Sequence, residues 1–184
     1  FRSGVIDTND RTMIGRGLPI HTGGFTNNFE YKGFDLSVFF QWSYGNDVLN
    51  ANRLFFDSGF QKKRELNQYA SYTDRWTPEN PNSNIPAATN SSSNLVISSR
   101  VVEDASFLRL KTVTLGYTVP KTFLKKYKID NARLYVAAQN LWTITGYSGY
   151  DPEVSIRSGG LTPGLDFSSY PRALSVSFGI NLGF

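Results

Sequence analysis

Every second residue from Leu174 to the last position is apolar: Leu174, Val176, Phe178, Ile180, Leu182 and Phe184. Between them lie Ser175, Ser177, Gly179, Asn181 and Gly183, all small or polar. A period of two marks a strand with one apolar and one polar face. At ~3.3 Å per residue and ~45° tilt, eleven residues rise about 25 Å, the height of the apolar band of an outer-membrane barrel. Strands of soluble sandwiches are commonly about five or six residues long, so the length points to a membrane-spanning strand.

A hairpin carries the same pattern near the other end of the chain. Phe34, Leu36, Val38, Phe40, Trp42 and Tyr44 alternate with Asp35, Ser37, Gln41 and Ser43, and Phe39 is the one exception. Phe25, Phe29 and Tyr31 precede them, and Lys32-Gly33 lies between as a two-residue turn in which glycine suits a primed type. That turn predicts the register: Tyr31 opposite Phe34, Phe29 opposite Leu36 and Phe25 opposite Phe40, all on one face. The other face pairs Asn28 with Ser37, Gly24 with Gln41 and Glu30 with Asp35, a like-charge contact that needs water nearby.

A third strand is read near Phe107–Val119, where Val113, Leu115, Tyr117 and Val119 alternate with Thr112, Thr114, Gly116 and Thr118. Pro120 ends it, since proline cannot donate to a ladder. A fourth runs from Ala132 to Trp142, but its alternation is poor and its faces stay unassigned. The strands are expected at about 18–31, 34–47, 106–119, 132–142 and 171–184.

The connections are asymmetric. Lys32-Gly33 is two residues, Lys121–Asn131 about eleven with room for a helical turn, and the loops 48–105 and 143–170 are far longer. Short turns at one end and long loops at the other are how outer-membrane barrels are built. The fold class is therefore all-β: a transmembrane antiparallel β-barrel of which this chain forms about the last five strands, with the C-terminus at the periplasmic rim and the long loops extracellular. Five strands cannot close a barrel. The chain is read as a fragment whose N-terminal part, starting before Phe1, is missing.

Composition adjusts this picture in one respect. Aromatic residues make up 15% of the chain, with 14 Phe, 10 Tyr and 3 Trp. Such richness fits an aromatic belt at a membrane interface and equally a sugar-binding β-domain. The formal net charge is +4. The cations gather at Lys121, Lys125, Lys126 and Lys128 and at Lys62, Lys63 and Arg64, both in connections, so solvated turns explain them and no nucleic-acid partner is expected. Cysteine is absent, which excludes disulfides and thiolate metal sites.

Catalytic chemistry finds little support. The single histidine is His21. Carboxylates occur at Glu103-Asp104, Asp151-Pro152-Glu153 and Asp166, where solvated loop acids are commoner than a glycosidase pair. No catalytic residue, metal site or cofactor is expected. Trp76, Trp142, Tyr147 and Tyr150 lie in or beside the long loops, where rings stack on sugars or pack on a partner, or simply pack the loops or join the aromatic girdle. Tyr31, Phe34, Leu36, Val38, Phe40, Leu174 and Val176 are expected to face lipid.

Several runs resemble a known family. They are Val102-Glu103-Asp104-Ala105-Ser106-Phe107-Leu108-Arg109-Leu110-Lys111 with Thr114-Leu115-Gly116-Tyr117-Thr118-Val119-Pro120, and Gln139-Asn140-Leu141-Trp142 through Gly149-Tyr150-Asp151-Pro152-Glu153. Tyr170-Pro171-Arg172, Asp10-Arg11-Thr12-Met13-Ile14-Gly15, Tyr31-Lys32-Gly33-Phe34-Asp35-Leu36 and Tyr44-Gly45-Asn46-Asp47 fit as well. In this order they resemble SusC/RagA-type TonB-dependent transporters. The resemblance implies a barrel of about 22 strands around an N-terminal plug, energy from TonB through the missing N-terminal part, and import of glycans or peptides beneath a SusD-like surface lipoprotein. The terminal strand, with Phe178, Ile180, Leu182 and Phe184, resembles the signal read by the barrel-assembly machinery. The competing readings are a secreted all-β carbohydrate-binding module and a passive porin.

Overall fold

The computed structural model describes residues 11–59, 67–90, 95–156 and 163–184. The chain divides into two units, Phe1–Leu18 with Gly45–Asp104 and Glu153–Ser169, and Pro19–Tyr44 with Ala105–Pro152 and Tyr170–Phe184.

The second unit is a five-stranded antiparallel meander. Its strands are β1 (His21–Tyr31), β2 (Phe34–Tyr44), β5 (Phe107–Thr118), β6 (Asn131–Thr145) and β8 (Ser175–Gly183), paired in that order. Lys32 and Gly33 both have positive φ, 48° and 87°, the geometry of a type I′ turn, whose twist matches that of the strands it joins. The register of β1 on β2 pairs Tyr31 with Phe34, Phe29 with Leu36, Phe25 with Phe40 and Glu30 with Asp35. The Phe25 and Phe40 rings stack at 4.8 Å.

The ranges differ from the sequence expectation at the ends. β1 begins at His21 rather than 18, β8 at Ser175 rather than 171, and β6 continues to Thr145, three residues into the expected loop. Pro19 accounts for the first shift, because proline removes a ladder donor and restricts the residue before it; ahead of β8, Arg172 N is held by Asp151 and Ala173 O by the Asn140 amide.

The faces of β6 follow from its partners. Leu134, Val136 and Ala138 oppose Tyr117, Leu115 and Val113 on one side and Ile180, Phe178 and Val176 on the other. Alternation is poor there because Ala137 is apolar on the opposite face and because the ladder is interrupted. Phe39 and Phe40 pair with Thr112 and Leu110, leaving Lys111 as an extra residue in β5. Between Thr112 and Leu110, β6 in turn inserts both Asn140 and Leu141, with Asn140 at φ 53°. The bulge lets Leu108 and Leu110 rejoin the face of Val113, Leu115 and Tyr117 although the sequence phase slips by one.

Between β5 and β6 the chain makes one turn of helix, α2 (Lys121–Leu124), then a 3-10 turn at Lys125–Tyr127. Lys128 at φ 55° ends it.

The first unit builds its own elements from what the sequence presents as a loop. β3 (Asp47–Asn50) pairs antiparallel with β4 (Val102–Asp104) and parallel with β7 (Leu165–Asp166). The short helix α1 (Ala51–Phe56) follows β3 directly, with the Asn50 side chain accepting from Arg53 N at 3.4 Å as its N-cap. Val48, Ala51, Leu54, Ile85 and Val101 are buried in this unit. Phe55 packs on Phe167 and Phe56 on Tyr69. Asp74 organises the Asn80-to-Ser83 turn: its carboxylate accepts from Asn80 Nδ2 at 2.8 Å, and its carbonyl accepts from Ser83 Oγ. No helix among the described residues is long and apolar enough to cross a membrane, which says nothing of strands.

Candidate functional site

The five-stranded sheet has two chemically distinct faces. One is largely apolar on all five strands, with Asn27 opposite Val38 as its polar exception on β1. Register places Phe29 and Tyr31 beside Leu36 and Phe34, these beside Leu115 and Tyr117, then Val136 and Leu134, then Phe178 and Ile180. Phe29, Phe34, Leu115, Leu134, Phe178 and Ile180 are all exposed, Phe178 to 83%. A soluble sheet would cover such a face, because a contiguous apolar patch of this extent is a contact surface. Rings gather at both ends of it. Tyr31, Phe34 and Tyr117 stand at the Lys32-Gly33 end, with Phe34 and Tyr117 4.5 Å apart. His21, Trp42, Tyr44 and Trp142 stand at the other, where His21 Nδ1 accepts from Trp42 Nε1 at 3.1 Å and stacks on Tyr44 at 5.1 Å. The single histidine is thereby used in an aromatic cluster. β2, eleven residues long, rises about 25 Å at the usual rise and tilt.

The opposite face is polar and cross-linked. Asp35 on β2 pairs with Arg133 on β6 across the intervening β5, Arg133 Nε lying 3.1 Å from Asp35 Oδ1. Gly116 makes that crossing possible: a Cβ there would meet both Asp35 and the Arg133 guanidinium. Arg133 in turn lies 5.4 Å over the Tyr135 ring. The Tyr135 ring occupies the space that a Cβ at Gly179 on β8 would take. The Asp35–Arg133–Tyr135 row thus runs from β2 to β6 and lies over Gly116 of β5 and Gly179 of β8. The Glu30–Asp35 juxtaposition expected from the register is present, and Arg133 relieves it. Further along, the bulged Lys111 donates to Gln41 Oε1.

A third arrangement holds a loop segment. Arg109 Nη2 is 2.6 Å from Asp151 Oδ1, with both side chains buried. Arg109 Nε donates to Thr143 Oγ1 at 2.9 Å, and its guanidinium lies 5.2 Å over the Phe107 ring. Asp151 Oδ2 accepts from Arg172 N at 3.1 Å. A buried pair of this kind needs its partners, since an uncompensated charge away from water is costly.

The first unit has its own buried polar network. Asp57 is fully buried and accepts from Ser71 Oγ at 3.0 Å and from Arg53, whose other nitrogen reaches Glu103 at 3.3 Å. Burial lowers the pKa of the nearby Arg100 guanidinium from its ordinary value, with Asp57 pulling it up and Arg53 adding to the lowering. An open cavity of about 270 Å³ is lined by Met13, Arg16, Asp47, Leu49, Ile97 and Pro163 among others. No group of three or more metal-ligating side chains occurs among the described residues.

The four rings singled out from the sequence differ in their settings. Trp76, 43% exposed, belongs to the first unit. Trp142 lies in β6 opposite Leu110 on the apolar face, within the strand expected at 132–142. Tyr147 is only 6% exposed, its ring over Gly149, so it packs the loop and offers no free surface. Tyr150 is 81% exposed. Phe178, Ile180 and Leu182 lie on the apolar face of β8, an edge strand of this sheet, with Leu174 and Phe184 flanking it. The sequence pattern assigned no role to Arg109 or Arg133 and gave Asp35 only the like-charge contact with Glu30. A lone charge inside a strand pattern was the available signal.

Comparison with known proteins places these features. No family model matches the chain. It is 38% identical over 187 residues to TonB-dependent receptor P3 of Formosa agariphila, an alignment covering 99% of this chain and 18% of that protein. It is 28% identical over 183 residues to TonB-dependent receptor SusC of Bacteroides thetaiotaomicron, covering 99% of this chain and 17% of that protein. Among solved structures, the RagAB peptide transporter superposes with a TM-score of 0.74 at 31% identity over 89% of this chain and 17% of that one. The chain thus spans under a fifth of the length of the relatives it matches. These relatives are receptors and transporters, not enzymes.

Proposed function

We propose, for a chain that belongs to the SusC/RagA-type TonB-dependent transporters as a segment of their β-barrel, that its sheet is wall in an outer-membrane importer of oligomeric nutrients, glycans or peptides. The apolar face meets lipid and the polar face meets the lumen. The observation that carries this reading is the apolar face that runs over all five strands, with exposed apolar side chains on each of them, backed by a polar face on which Asp35 pairs with Arg133. A soluble carbohydrate-binding module would have to hide the first face. The long connections expected at 48–105 and 143–170 are read as extracellular, and the Lys32-Gly33 turn and α2 as periplasmic. TonB supplies energy through the rest of the protein, and a SusD-like lipoprotein closes the top. Tyr150 and Trp76 are the rings of this chain placed to meet lid or substrate. Peptide as the cargo is favoured by the likeness to the RagAB peptide transporter.

The test is uptake of labelled peptides and oligosaccharides by cells carrying the intact, affinity-tagged transporter, with and without functional TonB. TonB-dependent uptake and co-isolation of a surface lipoprotein are expected. Uptake that persists without TonB would make the protein a passive porin.

A further inference from the structure

The connection between β5 and β6 carries Lys121, Lys125, Lys126 and Lys128 against one acid, Asp130, and all five are exposed. Phe123 and Tyr127 stand among them, 69% and 67% exposed. The backbone that presents these groups is built rather than loose. Leu124 turns inward and is buried. Ile129 N donates to Leu124 O at 3.4 Å, and Asp130 N donates to Gly183 O at 2.8 Å, fastening the connection to the end of β8.

Its position in the sheet gives the cluster a meaning that the sequence alone leaves as a solvated turn. At this end the apolar face closes on the ring row of Tyr31, Phe34 and Tyr117. Thr118 N donates to Gly33 O at 2.7 Å, which holds the Lys32-Gly33 turn at the same edge. Lys32 Nζ lies 5.1 Å over the Tyr31 ring. From the sheet outward the order is apolar face, aromatic row, cations. A bilayer leaflet has the same order: hydrocarbon, interfacial region, headgroup phosphates. Lysine suits the last layer because it is a compact charge on a flexible stem that needs no fixed partner geometry. The exposed Phe123 and Tyr127 add rings of the kind that settle at a lipid interface, which a purely solvated turn does not require.

We infer that the 121–128 connection, with Lys32, binds the headgroups of anionic phospholipids in the leaflet it borders and so fixes the depth of this part of the wall. The inference rests on reading the sheet as membrane wall. Its occupant is lipid; a soluble acidic partner would use the cations without the rings.

The experiment uses the intact transporter purified from bilayers of phosphatidylcholine containing a minority of phosphatidylglycerol, with the two lipids retained by the protein quantified by mass spectrometry. The wild type is expected to retain phosphatidylglycerol above its share of the bilayer. The K121Q/K125Q/K126Q/K128Q variant should lose at least about fivefold of that enrichment, given the attraction of each surface lysine to anionic lipid. Replacement of the same four lysines by arginine should keep it, and molar salt should abolish it. Equal enrichment in wild type and glutamine variant overturns the inference, as does no enrichment in either. Flotation with pure phosphatidylcholine vesicles separates the two failures. Protein that floats without enrichment leaves the wall reading standing, and protein that does not float removes both.

Discussion

Arg109 on β5 and Asp151 in the loop after β6, 42 positions apart, form a buried ion pair at 2.6 Å, and the second oxygen of Asp151 holds the backbone of Arg172 ahead of β8. One carboxylate therefore ties three segments of the chain to each other. Asp151→Ala in the intact transporter removes that tie and leaves the Arg109 charge buried. We expect a loss of about 3–5 kcal/mol, read as a lower denaturant midpoint of the detergent-solubilised barrel. Combining it with Arg109→Met should cost less than the sum of the two single changes, because neither charge is then left alone. Additive losses would mean that the pair does not act as a unit.

Gly116 is the passage through which Asp35 reaches Arg133. Gly116→Val places carbon where the guanidinium and carboxylate meet, and a cost of about 1–3 kcal/mol is expected from the forced rearrangement. Gly146→Ala is the matched control, since a Cβ there meets nothing within 4 Å; it should stay within about 0.5 kcal/mol of wild type. A Gly116 variant as stable as the control would show that the crossing contact contributes nothing.

Much of the sheet was legible in the sequence because its information is local. The Tyr31-Lys32-Gly33-Phe34 run carries turn type and register together, and β8 alternates without interruption. The bulge at Lys111 was not legible: one extra residue reads as a slip of phase, and only the paired strands reveal that Leu110 and Val113 share a face. The first unit was missed as structure because its strands are two to four residues long and one pairing is parallel between distant segments, which leaves no periodic trace. The Arg109–Asp151 tie is likewise invisible without the fold. Tyr147 shows the limit for candidate sites: an aromatic residue in a long loop has the same sequence signature whether it meets a ligand or, as here, packs against its own chain.

The phase of the faces can be tested by charge. Arginine at Val38 or Phe178 would face hydrocarbon and should cost about 2–4 kcal/mol, while arginine at Ser37 or Ser177 would face the lumen and should cost less. The readout is equilibrium unfolding of the intact barrel in lipid vesicles. Equal costs on the two faces would reject the assignment of lipid and lumen.

The terminal strand offers a prediction about assembly. Phe184 follows β8, an edge strand of this sheet, and an edge strand must be captured in register before it can pair. Deleting Phe184 should reduce folded transporter in the outer membrane more than Phe40→Ala, which removes a similar ring from an inner strand. Equal reductions would make Phe184 one more apolar side chain, contributing only its burial of roughly 1.5–3 kcal/mol.

The most direct measurement of the whole account is a cysteine scan along β8 in the intact transporter in bilayers, on a background in which any cysteines outside this chain, which has none, are replaced by serine. Spin labels at positions 175 to 178 and 180 to 182, leaving out Gly179 and Gly183 where a Cβ would meet Tyr135 and Asn131, report collision with oxygen, which concentrates in hydrocarbon, and with a water-soluble nickel complex. The expected result is alternation along the strand, with oxygen maxima at 176, 178, 180 and 182 and nickel maxima at 175, 177 and 181. Uniform accessibility along the strand, or the opposite phase, would contradict the placement of this sheet as the wall of a membrane barrel.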